Sequence, residues 1–112
     1  MNVETIKEFA KERMDLHVSQ REESEAIMDD YYNRISDFIA SDIPGAIEFM
    51  TKSPECTGEI FLNWSEVFDD VVRKSQSRDF VDALPVAAER FKEECKEYNI
   101  AYSIEYARDE LV

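Results

Sequence analysis

The chain has 112 residues, with 26 Asp and Glu against 13 Lys and Arg and a formal net charge of −13. This charge repels nucleic acids and anionic membranes, so direct binding to either is not expected and the favoured partners are cationic. A hydrophobic fraction of 44%, with 12% aromatic residues, is too high for an intrinsically disordered acidic chain. The length suits one domain, residues 1–112, with a single hydrophobic core.

The first predicted helix covers residues 2–15. Four apolar side chains recur at helical spacing on one face: Val3, Ile6, Ala10 and Met14. Residues 14–19 alternate between apolar and polar side chains, which allows a short extended segment after this helix. His17 is the only histidine. It lies near the apolar face, so we expect a packed side chain rather than a catalytic one.

The stretch Ser19–Ile39 is the strongest helix prediction in the chain. Ser19 followed by Glu22 three residues later fits a capping box at its start. At about 100° per residue, apolar residues share one face: Ile27, Met28, Tyr31, Ile35, Phe38 and Ile39. The opposite face carries six carboxylates: Glu22, Glu23, Glu25, Asp29, Asp30 and Asp37. The pattern predicts a nearly unbroken acidic face on one helix.

Two further helix starts are indicated by capping residues and by proline. Pro44 suits the first turn of a short helix, and Thr57 suits the N-cap of a strongly apolar helix. The apolar residues of the helix that begins after Thr57 form a heptad-like seam: Ile60, Phe61, Trp64, Val67, Phe68, Val71 and Val72. We expect the seam to face the core, and a second subunit is the alternative occupant.

Residues 77–98 form the last long helix prediction, with Pro85 inside it, so a kinked helix or two abutting helices are expected. Asn99 is expected to end this helix. Ile100, Tyr102, Ile104 and Tyr106 then alternate with smaller or polar residues, which is typical of a strand. A continued helix fits the same residues. The predicted class is therefore mainly α, a single-domain bundle of four to five helices, with an α+β fold as the alternative if residues 100–107 form a strand.

Known catalytic and metal-binding patterns do not fit this chain. One histidine and two distant cysteines, Cys56 and Cys95, cannot form the usual zinc sites. Phosphate loops, nucleophile elbows and calcium loops do not occur in the sequence. We therefore expect no enzyme activity, no cofactor and no metal. The cysteines are expected to be reduced core residues in a cytoplasmic protein, located in the host bacterial cytoplasm if the gene belongs to a phage.

Rows of carboxylates on a rigid helix can imitate DNA. Side chains three and four positions apart stand about 5–6 Å from each other, which is on the scale of backbone phosphates. Lysines and arginines of a nucleic-acid channel would then meet carboxylates instead of phosphates. The predicted contact surface is the six-carboxylate face of the second helix. Four secondary candidates lie further along the chain: Asp69, Asp70, Glu93 and Glu97.

A short passage also resembles a known family. Residues 35–50, ISDFIASDIPGAIEFM, are similar to the helix–proline–helix passage of phage overcome-restriction (Ocr-type) proteins, which are small, acidic, helical and dimeric DNA mimics. The resemblance implies an inhibitor that acts in phage or mobile-element counter-defence. The expected partner is a basic nucleic-acid-binding protein: a restriction, CRISPR or repair component or a toxin nuclease. A homodimer is compatible with this hypothesis.

Three other interpretations remain open at this point. An immunity protein that neutralises a basic nuclease toxin is also small and acidic, and the ending from Phe91 to Ala107 resembles the helix–strand close of barstar-like inhibitors. A helical adaptor could use the Trp64 seam or the tyrosine-rich tail as its interface. The acidic surface could also serve solubility alone.

Overall fold

Seven α-helices and one 3₁₀ turn form the computed structural model, which describes all 112 residues. In chain order they are α1 (Val3–Val18), the 3₁₀ turn (Arg21–Glu23), α2 (Glu25–Ala40), α3 (Ile43–Lys52), α4 (Gly58–Ser65), α5 (Phe68–Ser75), α6 (Arg78–Arg90) and α7 (Ile100–Asp109). The mainly α class is confirmed. The number of helices exceeds the predicted four to five, because one predicted helix is divided and the tail adds another.

The start of α2 differs from the prediction. Ser19 ends α1, and its amide donates to the carbonyl of Asp15 at 3.0 Å. Gln20 follows with a left-handed φ of 62°, which turns the chain into the 3₁₀ turn. Ser24 is the actual N-cap of α2, since its hydroxyl accepts a hydrogen bond from the amide of Ile27. The predicted extended segment at residues 14–19 is wrong, because α1 continues to Val18 and buries Leu16.

The starts of α3 and α4 are confirmed. The Asp42 carboxylate accepts from the amide of Gly45 at 3.0 Å, with Pro44 in the first turn of α3. The Thr57 hydroxyl accepts from the amide of Ile60 at 3.2 Å. In both places the capping side chain satisfies an amide that the first turn of a helix otherwise leaves without a partner.

The apolar seam after Thr57 lies in the core, as expected, but on two helices. The helix is interrupted at residues 66–67, and α5 begins at Phe68. Every predicted seam residue is nevertheless buried: Ile60, Phe61, Trp64, Val67, Phe68, Val71 and Val72. Trp64 is only 1% exposed. The seam is therefore not available to a second subunit or to an adaptor partner.

Helix α6 crosses Pro85 without interruption and ends at Arg90, earlier than the predicted Tyr98. Residues 91–99 form consecutive turns instead. We refer to residues 91–99 as the turn segment. Its last residue, Asn99, is not a stop but the N-cap of α7, because its side chain accepts from the amide of Tyr102 at 3.2 Å.

The tail is a helix, so the strand alternative for residues 100–107 is wrong. Ile100 and Ile104 are buried, whereas Tyr102 and Tyr106 are exposed. Each pair is four residues apart, which places its members on one face of a helix. The alternation of these residues therefore fits the two-residue period of a strand and the 3.6-residue period of a helix equally well. The helix–strand close that resembled barstar-like inhibitors is not formed.

The core is one cluster of 26 buried apolar residues. Its two buried polar side chains are satisfied. Asn63 donates to the hydroxyl of Tyr31 at 3.0 Å, and Ser36 accepts from Lys74 at 2.7 Å. The two thiols are free, with Cys56 buried and Cys95 half-buried. None of the helices combines the length and the apolar character needed to cross a membrane.

Candidate partner-binding surface

The ten predicted contact carboxylates do not form one acidic surface. Five of them make ion pairs within the protein: Glu22, Asp30, Asp37, Asp70 and Glu93. The other five make none: Glu23, Glu25, Asp29, Asp69 and Glu97. An ion-paired carboxylate presents little net charge to a partner, so the two groups differ in what they can bind.

Glu22 is part of a network that joins α1, the 3₁₀ turn, α2 and the break between α4 and α5. It accepts from Arg13 Nη1 at 2.8 Å and lies 2.7 Å from Nδ1 of His17. Arg13 Nε also donates to Glu66 at 3.0 Å, and the Tyr32 hydroxyl donates to the same carboxylate at 2.5 Å. The hydrogen bond from Arg13, followed by the one from His17, lowers the pKa of Glu22. Glu22 is therefore a cross-link rather than a free contact residue.

His17 is not packed, contrary to the prediction. Its side chain is 66% exposed, because α1 continues to Val18 with Leu16 on its buried side and the next residue lies about 100° further round the helix. The imidazole lies against Glu22 instead.

Basic side chains neutralise the middle and the end of the acidic face of α2. One of them belongs to α2 itself and the other to α5. Asp30 binds Arg34 one turn later at 2.9 Å, and the same guanidinium also binds Glu12 on α1. Asp37 binds Lys74 on α5 at 2.8 Å. These contacts hold α2 against α1 and α5. The predicted unbroken carboxylate face is therefore wrong as a description of net charge.

The secondary candidates are also mostly engaged within their own segments. Asp70 binds Arg73 at 2.7 Å, and Glu93 lies 3.2 Å from Lys96. Asp69 accepts from the backbone amide of Asp70 at 3.0 Å. Glu97 is exposed in the turn segment. Asp70 lines the same small pocket as Asp29 on α2, but Arg73 and Lys74 also line it, so positive charge interrupts the acidic surface there.

Three of the predicted carboxylates are exposed and form no ion pair: Glu23 at the end of the 3₁₀ turn, and Glu25 and Asp29 in the first half of α2. We call them the α2 acidic patch. Asp29 lines the small pocket that Arg73 and Lys74 of α5 also line. Glu25 and Asp29 are four residues apart on one helix, so their like charges repel by about 0.2–0.5 kcal/mol. Glu25 lies in the first turn, where the helix dipole partly offsets this repulsion. The patch can therefore gain energy from a cationic partner.

A second surface without ion pairs lies on α7, in the tyrosine-rich tail that the sequence suggests as an adaptor interface; its acidic residues were not part of that prediction. Tyr102 and Tyr106 are 51% and 53% exposed, and their hydroxyls are 3.0 Å apart. Glu105 and Asp109 each follow one of these tyrosines by three positions, hence on the same side of the helix. We call these four residues the α7 outer face. The hydrogen bond to Tyr106 raises the pKa of Tyr102. A strand would place the two tyrosines on one face and Glu105 and Asp109 on the other, so only the helix brings the four residues together.

A groove of about 680 Å³ separates α1 from α4 and is closed on one side by the turn segment. Ala10, Met14 and Leu62 supply apolar surface, and Glu59 and Glu94 are charged lining residues. The hydroxyl of Ser65, which also lines it, donates to the carbonyl of Leu62 in its own helix. The structure contains no group of three or more His, Cys, Asp or Glu side chains placed to hold a metal ion.

The protein retains a large excess of unpaired negative charge. Ten of the 26 carboxylate side chains form ion pairs, which leaves sixteen without one. The unpaired ones include the α2 acidic patch and both acids of the α7 outer face. Comparison with protein-family models, curated proteins and solved structures found no significant match.

Proposed function

We propose that this protein is an acidic inhibitor that binds the cationic nucleic-acid site of another protein and occludes it, as a DNA mimic does. The observation that carries the proposal is the set of sixteen carboxylates without an ion-pair partner on a helical scaffold. Rigid helices hold these charges in place before binding, so less entropy is lost on association. Their summed field also speeds the encounter with a cationic site.

The primary contact surface in this proposal is the α2 acidic patch. Glu23, Glu25 and Asp29 are exposed and make no side-chain hydrogen bond or ion pair. A partner lysine or arginine can pair with them without breaking an internal contact. Glu22 and Asp30 are poorer contact residues, because each would have to exchange an existing arginine partner.

The proposed partners are basic nucleic-acid-binding proteins: a restriction, CRISPR or repair component, or a toxin nuclease. Phage or mobile-element counter-defence is the proposed setting. The resemblance of residues 35–50 to Ocr-type proteins is in keeping with it, since this passage comprises the end of α2, a break capped by Asp42, and the start of α3 with Pro44. Cytoplasmic location is part of the same proposal.

The test uses two variants of equal charge change. The first, E23Q/E25Q/D29N, removes the α2 acidic patch. The matched control, E8Q/D15N/E48Q, removes three exposed and unpaired carboxylates elsewhere. Each tagged protein is used to capture partners from bacterial lysate. The captured protein is then purified, and its binding to labelled DNA or RNA is measured in the presence of each variant.

The expected partner is a nucleic-acid-binding protein that salt releases and that cannot bind its nucleic acid and this protein together. The patch variant should inhibit much more weakly than the control variant. Simultaneous binding of nucleic acid and this protein would overturn the occlusion proposal. Equal losses of inhibition in the two variants would show that inhibition depends on the total charge rather than on the α2 acidic patch.

A toxin immunity protein is the second candidate, and the exposed tyrosines of α7 favour it. Tyrosine is enriched among the few residues that dominate the energy of protein interfaces. An immunity protein should neutralise one cognate nuclease and depend on a few such residues. A DNA mimic should inhibit several unrelated nucleic-acid-binding proteins and tolerate single substitutions. Titration of the wild-type protein against a panel of purified nucleases separates the two.

A further inference from the structure

The α7 outer face combines aromatic and acidic side chains, and none of its four residues forms an ion pair, although Arg108 is exposed on the same helix. The rings of Tyr102 and Tyr106 meet edge to face, with centroids 4.6 Å apart. Neither Glu105 nor Asp109 forms an ion pair, and both are exposed. Tyrosines contribute to interfaces at a low entropic cost, because few rotatable bonds must be fixed.

This face points away from the core. The inner side of α7 carries Ile100, Ile104 and Ala107, all buried, and it packs against α5, α6 and α4. The two tyrosines therefore do not serve the hydrophobic core. Their hydroxyls bond to each other, which fixes the two rings as one unit.

The chemistry of the face selects one kind of cation. A guanidinium is planar, stacks on aromatic rings and binds carboxylates through two parallel hydrogen bonds. A lysine ammonium is a point charge that is more strongly hydrated and lacks the planar surface for stacking. A face with aromatic rings next to carboxylates should therefore bind arginine more tightly than lysine.

We infer that the α7 outer face is a docking site for an arginine-bearing segment of a partner protein. Guanidinium groups stack on Tyr102 and Tyr106 and pair with Glu105 and Asp109. The inference deepens the proposed function and rests on it for the identity of the partner: arginines that bind bases and phosphates of a nucleic acid would find rings and carboxylates here. The net charge of −13 supplies the long-range attraction that such a segment needs.

The test compares oligo-arginine with oligo-lysine of equal length, each fluorescently labelled, by anisotropy at near-physiological salt. The wild-type protein should bind the arginine peptide about fivefold more tightly, which is the size of one exposed cation–π contact. In Y102A/Y106A this preference should disappear while the weaker charge-driven binding of both peptides remains. Y102F/Y106F keeps the rings and should keep most of the preference.

The matched control is Y98A, which removes another exposed tyrosine from the turn segment. It should retain the arginine preference, and circular dichroism verifies that each variant is folded. Equal affinity for the two peptides, or a preference that survives in Y102A/Y106A, would overturn the inference. Loss of the preference in Y98A would also overturn it.

The peptide assay separates this inference from the proposed function. If the tyrosine-dependent preference is present but no nucleic-acid-binding protein is inhibited, the docking site stands and the proposed function fails. If a captured nuclease is inhibited equally by wild type and by Y102A/Y106A, the proposed function stands and the docking site fails.

Discussion

The carboxylate of Glu22 accepts a hydrogen bond from the guanidinium of Arg13 at 2.8 Å. The sequence places Glu22 on the outer face of a helix, whereas the structure places it in a turn folded back on α1. Because Arg13 also binds Glu66, which lies in the break between α4 and α5, one guanidinium joins three segments. The contact ties the 3₁₀ turn to α1, so we expect Glu22 to contribute to stability.

The first prediction concerns the pH dependence of stability. The folded-state pKa of Glu22 lies below its ordinary value of 4.5, first because of Arg13 and then because of His17. Its contribution is thus fully present above pH 4.5 and is lost as the pH falls through the folded pKa. We expect E22Q to be less stable than wild type at neutral pH, with the difference vanishing in acid. Urea unfolding from neutral to acidic pH measures this.

The control for this prediction is E23Q. Glu23 is adjacent in the chain but has no ion-pair partner, so its replacement should change the stability little at any pH. A stability loss in E23Q equal to that in E22Q would contradict the assignment.

The second prediction concerns the start of α2. Ser24 caps the helix through the amide of Ile27 at 3.3 Å, whereas Ser19 caps the end of α1. Loss of an N-cap side chain costs about 1 kcal/mol. We therefore expect S24A to be destabilised by about this amount and S19A by clearly less. Urea unfolding followed through the fluorescence of Trp64 measures both. The reverse order would contradict the assigned boundary.

The sequence predicts those features that depend on neighbouring residues. Asp42 with Pro44 and Thr57 with its apolar helix identify helix starts, because the cap and the first turn lie within a few positions. Ser19 and Ser24 are both good caps, so local chemistry does not choose between them. The burial of Leu16, which holds α1 in a helix to Val18, makes the choice.

The binding surface is predicted less well for a different reason. A helical projection shows that Asp30 and Asp37 share a face, but not that Lys74 comes from another helix to bind Asp37. Arg34 pairs with Asp30 and also with Glu12, which precedes Arg34 by 22 positions in the chain. Net charge at a surface is a property of tertiary contacts. Periodicity identifies the carboxylates, and only the fold distinguishes the paired from the unpaired.

The third prediction concerns the contact between α4 and the turn segment. A Cβ atom added to Gly58 would lie 2.3 Å from Cγ and 2.8 Å from Cβ of Glu94. Overpacking of this kind typically costs about 1–3 kcal/mol. We expect G58A to lower the free energy of unfolding by about this amount. The double variant G58A/E94A, which removes the closer atom, should recover part of the loss. No loss in G58A would show that the turn segment moves freely away from α4.

The fourth prediction concerns the end of α3. The guanidinium of Arg90 donates to the carbonyls of Phe49, Met50 and Ser53. It also lies 4.8 Å from the ring centroid of Phe91. The last carbonyls of a helix lack intrahelical donors and carry partial negative charge, which a cation stabilises.

Arg90→Met keeps much of the side-chain volume but removes all the donors, so we expect a loss of about 1–2 kcal/mol in the free energy of unfolding. Arg90→Lys should fall between this variant and wild type, because one ammonium cannot reach the carbonyls with the planar fork of arginine. Arg78→Met is the control, since Arg78 is exposed at the other end of α6 and makes no side-chain contact of this kind. Equal stability of the Arg90 and Arg78 variants would mean that the contacts to α3 contribute nothing, and that α3 is held by its buried residues alone.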